Sequence, residues 1–135
     1  MLLTKASEYA LLSLIIIAQR NAPQDVDTLS TQLGISKSFL AKVLQCLARE
    51  NVLKSFKGAK GGFILARDPK ALTIKEIVEY AEKKPTIVFE CATSVSNCPN
   101  NRAEYCKIWP FFNRFQSRVD DFLGTITLWD IVKES

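Results

Sequence analysis

Three of the four cysteines in this 135-residue chain, Cys91, Cys98 and Cys106, share a polar, turn-rich stretch from Glu90 to Lys107 with the spacing C-x6-C-x7-C. A flexible segment of that kind can bend to bring several sulfurs within the short distance that thiolate coordination of one metal centre needs. The spacing matches neither the paired CxxC knuckles of structural zinc sites nor a ferredoxin run. On spacing alone, iron-sulfur ligation, zinc binding and thiol oxidation or disulfide sensing all remain open. Cys46 is different in kind, because it lies beside an apolar helical stripe and reads as a small buried hydrophobe. Histidine is absent. That absence removes Ser-His-Asp triads, Cys-His dyads, HExxH zinc sites and Cys2His2 fingers, and with them most ways of pairing a nucleophile with a base. The chain is therefore expected not to be an enzyme.

The elements that must carry such a segment are legible upstream. Thr4 can cap a helix over residues 4 to 20, whose run from Tyr9 to Ala18 is apolar enough to demand burial on most sides. After Asn21, Ala22 and Pro23, Asp27 can cap a short helix through Leu33, which Gly34 ends in the left-handed conformation glycine tolerates. Ser36 can then cap a helix from Lys37 to about Asn51. Its Leu40, Val43, Leu44 and Leu47 repeat at helical spacing, and Lys37, Ser38, Lys42, Gln45 and Arg49 lie on the other side. Two short helices joined by Gly34, Ile35 and Ser36 form a helix-turn-helix. Leu53 to Lys57 and Phe63 to Arg67 alternate around Gly58, Ala59, Lys60, Gly61 and Gly62, which reads as a β-hairpin with a glycine-rich tip.

Charge is distributed to match. Between Lys37 and Lys70 stand eight basic residues against Glu50 and Asp68, so that this segment is +6 while the whole chain is +4. A basic block of this kind is the electrostatic footprint of phosphate contact. The glycines of the hairpin contain no GxxxxGK[ST] or GxGxxG pattern, so a nucleotide-binding loop is not indicated.

Downstream, Thr73 and Glu76 form a capping box that opens a helix bearing Ile74, Ile77, Val78 and Ala81 on one side, with Pro85 closing it. A long helix is expected from Trp109 or Pro110 to Leu123, since proline fits only in a first turn. Its Phe112, Phe115, Val119 and Phe122 make a second apolar surface, suited to an isologous contact between two copies. The longest apolar run, Ala10 to Ala18, is far shorter than the roughly 20 residues of a bilayer span, and it lacks the basic start and small-residue cleavage site of a secretory signal. A cytoplasmic protein without membrane association is expected, where disulfides are disfavoured and cysteines turn to metal or redox roles.

The segments LTKASEYALLSLIIIA, LGISKSFLAKVLQCLAR, VLKSFKGAKGGFILAR, LTIKEIVEYAE and FLGTITLWDIVKE, in that order, resemble the IscR and NsrR family of bacterial winged-helix regulators over nearly the whole chain. The resemblance implies a mainly α fold with a small β-hairpin: a winged helix-turn-helix DNA-binding domain over 1–84, a cluster-binding cysteine loop over 85–108 and a dimerisation helix with C-terminal segment over 109–135. It implies a homodimer on a palindromic double-stranded DNA operator, acting as a repressor under control of a 2Fe-2S or 4Fe-4S iron-sulfur cluster that senses nitric oxide, redox state or iron-sulfur status. Cys91, Cys98 and Cys106 match the three cluster cysteines. IscR-like members have a histidine where this chain has Trp109, and NsrR-like members have a first-helix aspartate where it has Glu8, which makes Glu8 the candidate fourth ligand.

Ser36, Lys37, Ser38, Phe39, Lys42, Lys57, Lys60 and Gly61 are the expected DNA-binding residues. Ala41 replaces the recognition-helix glutamate of IscR, so that regulator's base preference does not transfer. Lys57 replaces a wing arginine and cannot offer its bidentate fork. Two rivals stand beside this reading: a DNA-binding thiol-redox or zinc regulator without a cluster, and a metal-binding module that turns its basic face to a protein.

Overall fold

The computed structural model describes residues 3–88 and 107–134. The cysteine segment, with Cys91, Cys98 and Cys106, lies outside the described residues. Helix α1, Lys5–Gln19, begins at Thr4, whose hydroxyl accepts from the Ala6 N–H. Ser7, Ala10, Leu14 and Ile17 fall at steps of three and four and are buried. In the run from Tyr9 to Ala18 only Leu12 is exposed; the other residues are buried or packed half-buried against the core, so α1 is covered on most sides as its apolar run demands.

Helix α2, Val26–Leu33, is capped by Asp25, which accepts from the Thr28 N–H; the expected cap, Asp27, lies inside the first turn. The reason is a backbone exchange just upstream. Gln24 and Phe63 trade N–H···O bonds of 2.9 and 3.0 Å, which holds Gln24 extended and starts the helix directly after it. Gly34 ends α2 in the left-handed region at φ 67°. Helix α3, Lys37–Arg49, follows after two residues and sends Leu40, Val43, Leu44 and Leu47 into the core. Ser36 occupies its N-cap position without capping: the side chain makes no cap hydrogen bond and its Oγ lies 3.1 Å from that of Ser38.

Strands β1, Leu53–Phe56, and β2, Gly62–Leu65, pair antiparallel, with Leu53 opposite Leu65 and Phe56 opposite Gly62. Helix α4, Ile74–Glu82, has both hydrogen bonds of the Thr73–Glu76 capping box and turns off at Lys83, φ 60°, before Pro85 is reached. Helix α5, Trp109–Thr125, carries Pro110 in its first turn. The fold is thus mainly α with one hairpin, a winged helix-turn-helix extended by a long helix.

A further helix, α6 over Leu128–Val132, is opened by a second capping box of Thr127 and Asp130. It sends Leu128 into the core formed by α1, α3 and α4, where that side chain is fully buried. Ile74 and Leu128 donate backbone hydrogen bonds to Ile126 and Leu72, each 2.9 Å, so the end of the chain is stitched to the start of α4. On α5, Phe111, Phe115 and Phe122 are 52, 42 and 63% exposed. Phe112 and Val119 are half-buried.

Candidate nucleic-acid interface and metal ligands

The N-terminal half of α3 points its polar residues outward because its apolar stripe is consumed by the core. Ser36, Lys37, Ser38, Phe39 and Lys42 are all exposed. Ser36, Ser38, Phe39 and Lys42 line one cavity of about 420 Å³, together with Lys5 and Tyr9 of α1. Phe39 meets Tyr9 edge-on, with ring centroids 5.4 Å apart and planes at 89°. Such a contact between aromatics fixes the Phe39 ring against α1 rather than leaving it free on the surface. Lys37 is engaged differently, in an ion pair of 2.7 Å with Asp27 of α2.

The wing is set by backbone packing. A Cβ on Gly61 would stand 2.4 Å from the Phe56 carbonyl oxygen, and one on Gly62 would stand 2.6 Å from Gln24 backbone atoms. Gly62 also has φ 142°, a conformation that side chains rarely adopt. Gly61 donates its N–H to the Gly58 carbonyl at 3.0 Å, closing the tip. Gly61, expected to touch DNA, is half-buried and shapes the turn. Lys57 and Lys60 are exposed at the tip, and with Lys42 they form no ion pair among the described residues.

Two polar clamps hold this head together that local sequence signals do not reveal. Arg20 donates to the side-chain oxygens of Gln24 at 2.7 Å and Gln32 at 2.8 Å, joining the end of α1 to the wing anchor and to α2. Glu82, the last residue of α4, accepts from the Thr4 N–H at 2.9 Å, the Thr4 hydroxyl at 2.7 Å and the Ser7 hydroxyl at 2.5 Å. Burial alone would raise the Glu82 carboxyl, but the donors from Ser7 and Thr4 outweigh it and hold the group below its ordinary value.

Glu8 projects from the first turn of α1 with its side chain 49% exposed, and its carboxylate pairs with Lys5 at 2.9 Å. Hydrogen bonding to Glu8, with the attraction of its charge, raises the Lys5 ammonium above its ordinary value. Among the described residues, no three His, Cys, Asp or Glu side chains converge on a possible metal position. The expected cysteine ligands fall outside that set. Cys46, by contrast, is described: it is 8% exposed and its thiol donates to the Tyr80 carbonyl at 3.3 Å.

Both ends of the cysteine segment are borne by α5. Gln116, 5% exposed, accepts from the Val88 N–H at 2.7 Å and donates to the Thr86 carbonyl at 2.5 Å and to Asp120 at 3.0 Å. Lys107, where description resumes, stands two residues before the start of α5. Gln116 escapes sequence reasoning because two of its three partners, Thr86 and Val88, are some thirty positions away. The one local signal is an amide standing among the aromatic residues of an amphipathic helix.

The family model Rrf2, an iron-dependent transcriptional regulator, matches residues 3–134. The transcriptional regulator NsrR of Bacillus licheniformis is 26% identical over 140 residues, covering 98% of this chain and 92% of its own. Among solved structures, CymR, the global cysteine regulator of B. subtilis, superposes with a TM-score of 0.75 at 24% identity, covering 98% of this chain and 96% of its own. IscR of T. potens superposes with a TM-score of 0.73 at 22% identity, covering 97% and 85%. No helix among the described residues is long and apolar enough to cross a membrane.

Proposed function

The chain belongs to the Rrf2 family of DNA-binding transcriptional regulators, and from that premise we propose that it is a cytoplasmic homodimeric repressor whose operator affinity is set by an iron-sulfur cluster. The observation that carries the DNA-reading part is the outward face of α3: Ser36, Ser38, Phe39 and Lys42 stand exposed around one cavity, and Lys57 and Lys60 stand exposed on the glycine-shaped wing. An α-helix of this kind fits the major groove, while wing lysines reach phosphate or minor groove. Two such heads in a dimer would read a palindromic site with half-sites one helical turn, or a multiple of it, apart. The domain division at residues 84 and 108 belongs to the same reading, with 109–135 supplying the dimer contact.

The donor set suits the cluster. Three thiolates are soft donors of the kind that hold iron-sulfur clusters and zinc alike, and Glu8 is half-exposed with a surface lysine as its one ion-pair partner among the described residues. When bound, the cluster supplies an iron that oxygen or nitric oxide can attack. Cys91, Cys98 and Cys106 hold it. Glu8, a hard carboxylate among soft sulfurs, is the weakest link. Reaching from the reading head of one subunit toward the cysteines of the other, Glu8 would tie cluster state to DNA geometry.

Purification without oxygen, followed by iron and sulfide assay and visible absorption, tests this. Stoichiometric iron and sulfide are expected, lost when Cys91, Cys98 or Cys106 is replaced by serine and kept in Cys46→Ser. Glu8→Ala should form a cluster that decays faster. Protein carrying zinc, or no metal, would overturn the cluster while leaving DNA binding intact.

A further inference from the structure

Lys5 and Tyr9 reach the cavity around α3 from α1, outside the helix-turn-helix and the wing, and Lys5 is the charged one of the two. Its ammonium is spent elsewhere: it lies 2.9 Å from Glu8 Oε2 and 5.9 Å from the centre of the Tyr9 ring. Yet its side chain is 69% exposed, on a flexible stem that can swing without backbone movement. Lys42, Ser36 and Ser38 line the same cavity. Two cations and a serine pair, whose mutual hydrogen bond leaves one hydroxyl proton to donate, about a cavity of some 420 Å³ make the chemistry of a phosphate seat. The acid beside it, Glu8, at present neutralises one of the two cations.

We infer that Lys5 is a DNA-backbone contact held in reserve by Glu8: freed from that carboxylate, its ammonium joins Lys42, Ser36 and Ser38 on one phosphate at the edge of the α3 face. This deepens the DNA-binding reading and rests on the α3 face being the docking surface; it does not require Glu8 to be a metal ligand. If Glu8 is a ligand, the two roles couple. A carboxylate drawn onto iron releases Lys5, so occupancy of the metal site changes the charge presented to DNA through a side-chain exchange alone.

The test uses the full-length, metal-free chain and a duplex of random sequence long enough for two half-sites, because a phosphate contact is independent of sequence. Fluorescence anisotropy across a salt series is measured for wild type, Glu8→Gln, Lys5→Met, the double variant and Lys42→Met, with circular dichroism confirming the fold of each. Glu8→Gln should bind roughly three- to tenfold tighter and steepen the salt dependence by about 0.9 in log K per log salt, the signature of one added phosphate contact. In the Lys5→Met background the same change should give little, so the two substitutions should be non-additive. Equal gains in both backgrounds would mean that only a negative charge was removed, and would overturn the inference. Unchanged binding in Glu8→Gln would overturn it too. Weaker binding in Lys42→Met beside additive Lys5 and Glu8 effects would leave the α3 reading standing. A silent Lys42→Met would overturn both. Iron and sulfide content enters none of these arms, so failure of the cluster reading remains separate.

Discussion

Asp27 Oδ1 and Lys37 Nζ stand 2.7 Å apart, so the first residue of α3 is bonded back to the first turn of α2 across the helix-turn-helix. Both side chains are about two-thirds exposed, and an ion pair in that setting contributes little to stability. On the proposed DNA-binding reading its larger effect is on DNA, because it spends a cation that the docking face would otherwise offer. Asp27→Asn is expected to leave the unfolding midpoint nearly unchanged and to strengthen binding of duplex DNA, most visibly at low salt. Tightening that persists in Asp27→Asn/Lys37→Met would show that Lys37 is not the group released.

Wing geometry and wing charge should separate experimentally. Gly62→Ala places a Cβ against the Gln24 backbone at a φ of 142°, and backbone strain of this kind costs about 1–3 kcal/mol. Stability and DNA affinity should fall together. Lys57→Ala touches only an exposed tip, so it should leave denaturant unfolding unaltered and lower the salt slope by about 0.9. A Gly62→Ala protein with wild-type stability would contradict the close approach to Gln24.

Phe111 and Phe115 meet along the outer side of α5 with centroids 6.0 Å apart and planes tilted by 42°, and Phe122 continues the row two turns on. If this row is the contact between subunits, Phe115→Glu puts an unpaired charge into an apolar interface, which is expensive. Sedimentation velocity should then show a folded monomer. A folded dimer would direct attention to another surface.

Glu76 yields a pH prediction. Burial works to raise its carboxyl, but the Thr73 N–H and the Arg67 guanidinium at 3.1 Å outweigh it, and the group sits below its ordinary value. A carboxyl depressed by folding adds stability above its unfolded pKa of about 4.3 and loses that contribution as pH falls through the lower folded value. Urea unfolding of wild type and Glu76→Gln should therefore differ near neutrality and converge in acid. A gap of constant size down to roughly pH 2, well below both values, would show that the charge plays no part.

Local signals in the sequence specified what local chemistry decides. The Thr73–Glu76 box, Gly34 and the leucine stripe of α3 act within a turn or two of themselves, and each stands where its spacing places it. Asp25 and Asp27 are equally suited to cap α2, and the choice between them is made by a pairing with Phe63 that no window of neighbouring residues contains. Ser36 has the right side chain and position for a cap but turns toward Ser38. Helix α6 is too short for periodicity to reveal, although Thr127 and Asp130 repeat the spacing of the box before α4. The candidate ligands divide in the same way. Thiol number and type are plain in the chain, and the geometry of those thiols lies outside the described residues. The role of Gln116 is fixed by Thr86 and Val88, residues that only the folded chain brings to it.

That amide has a consequence for how a metal would be captured. With Val88 fastened to the middle of α5 and Lys107 leading into its start, the cysteine segment leaves from and returns to one rigid rod. Gln116 lies seven residues beyond Trp109, about 10 Å along the axis. Holding Val88 and Lys107 to one helix fixes where the segment starts and where it ends. Part of the entropy of closing the ring is already spent in folding the polypeptide. On the proposed cluster reading, the second and third sulfurs then bind in an intramolecular event whose effective concentration is set by the two anchored ends.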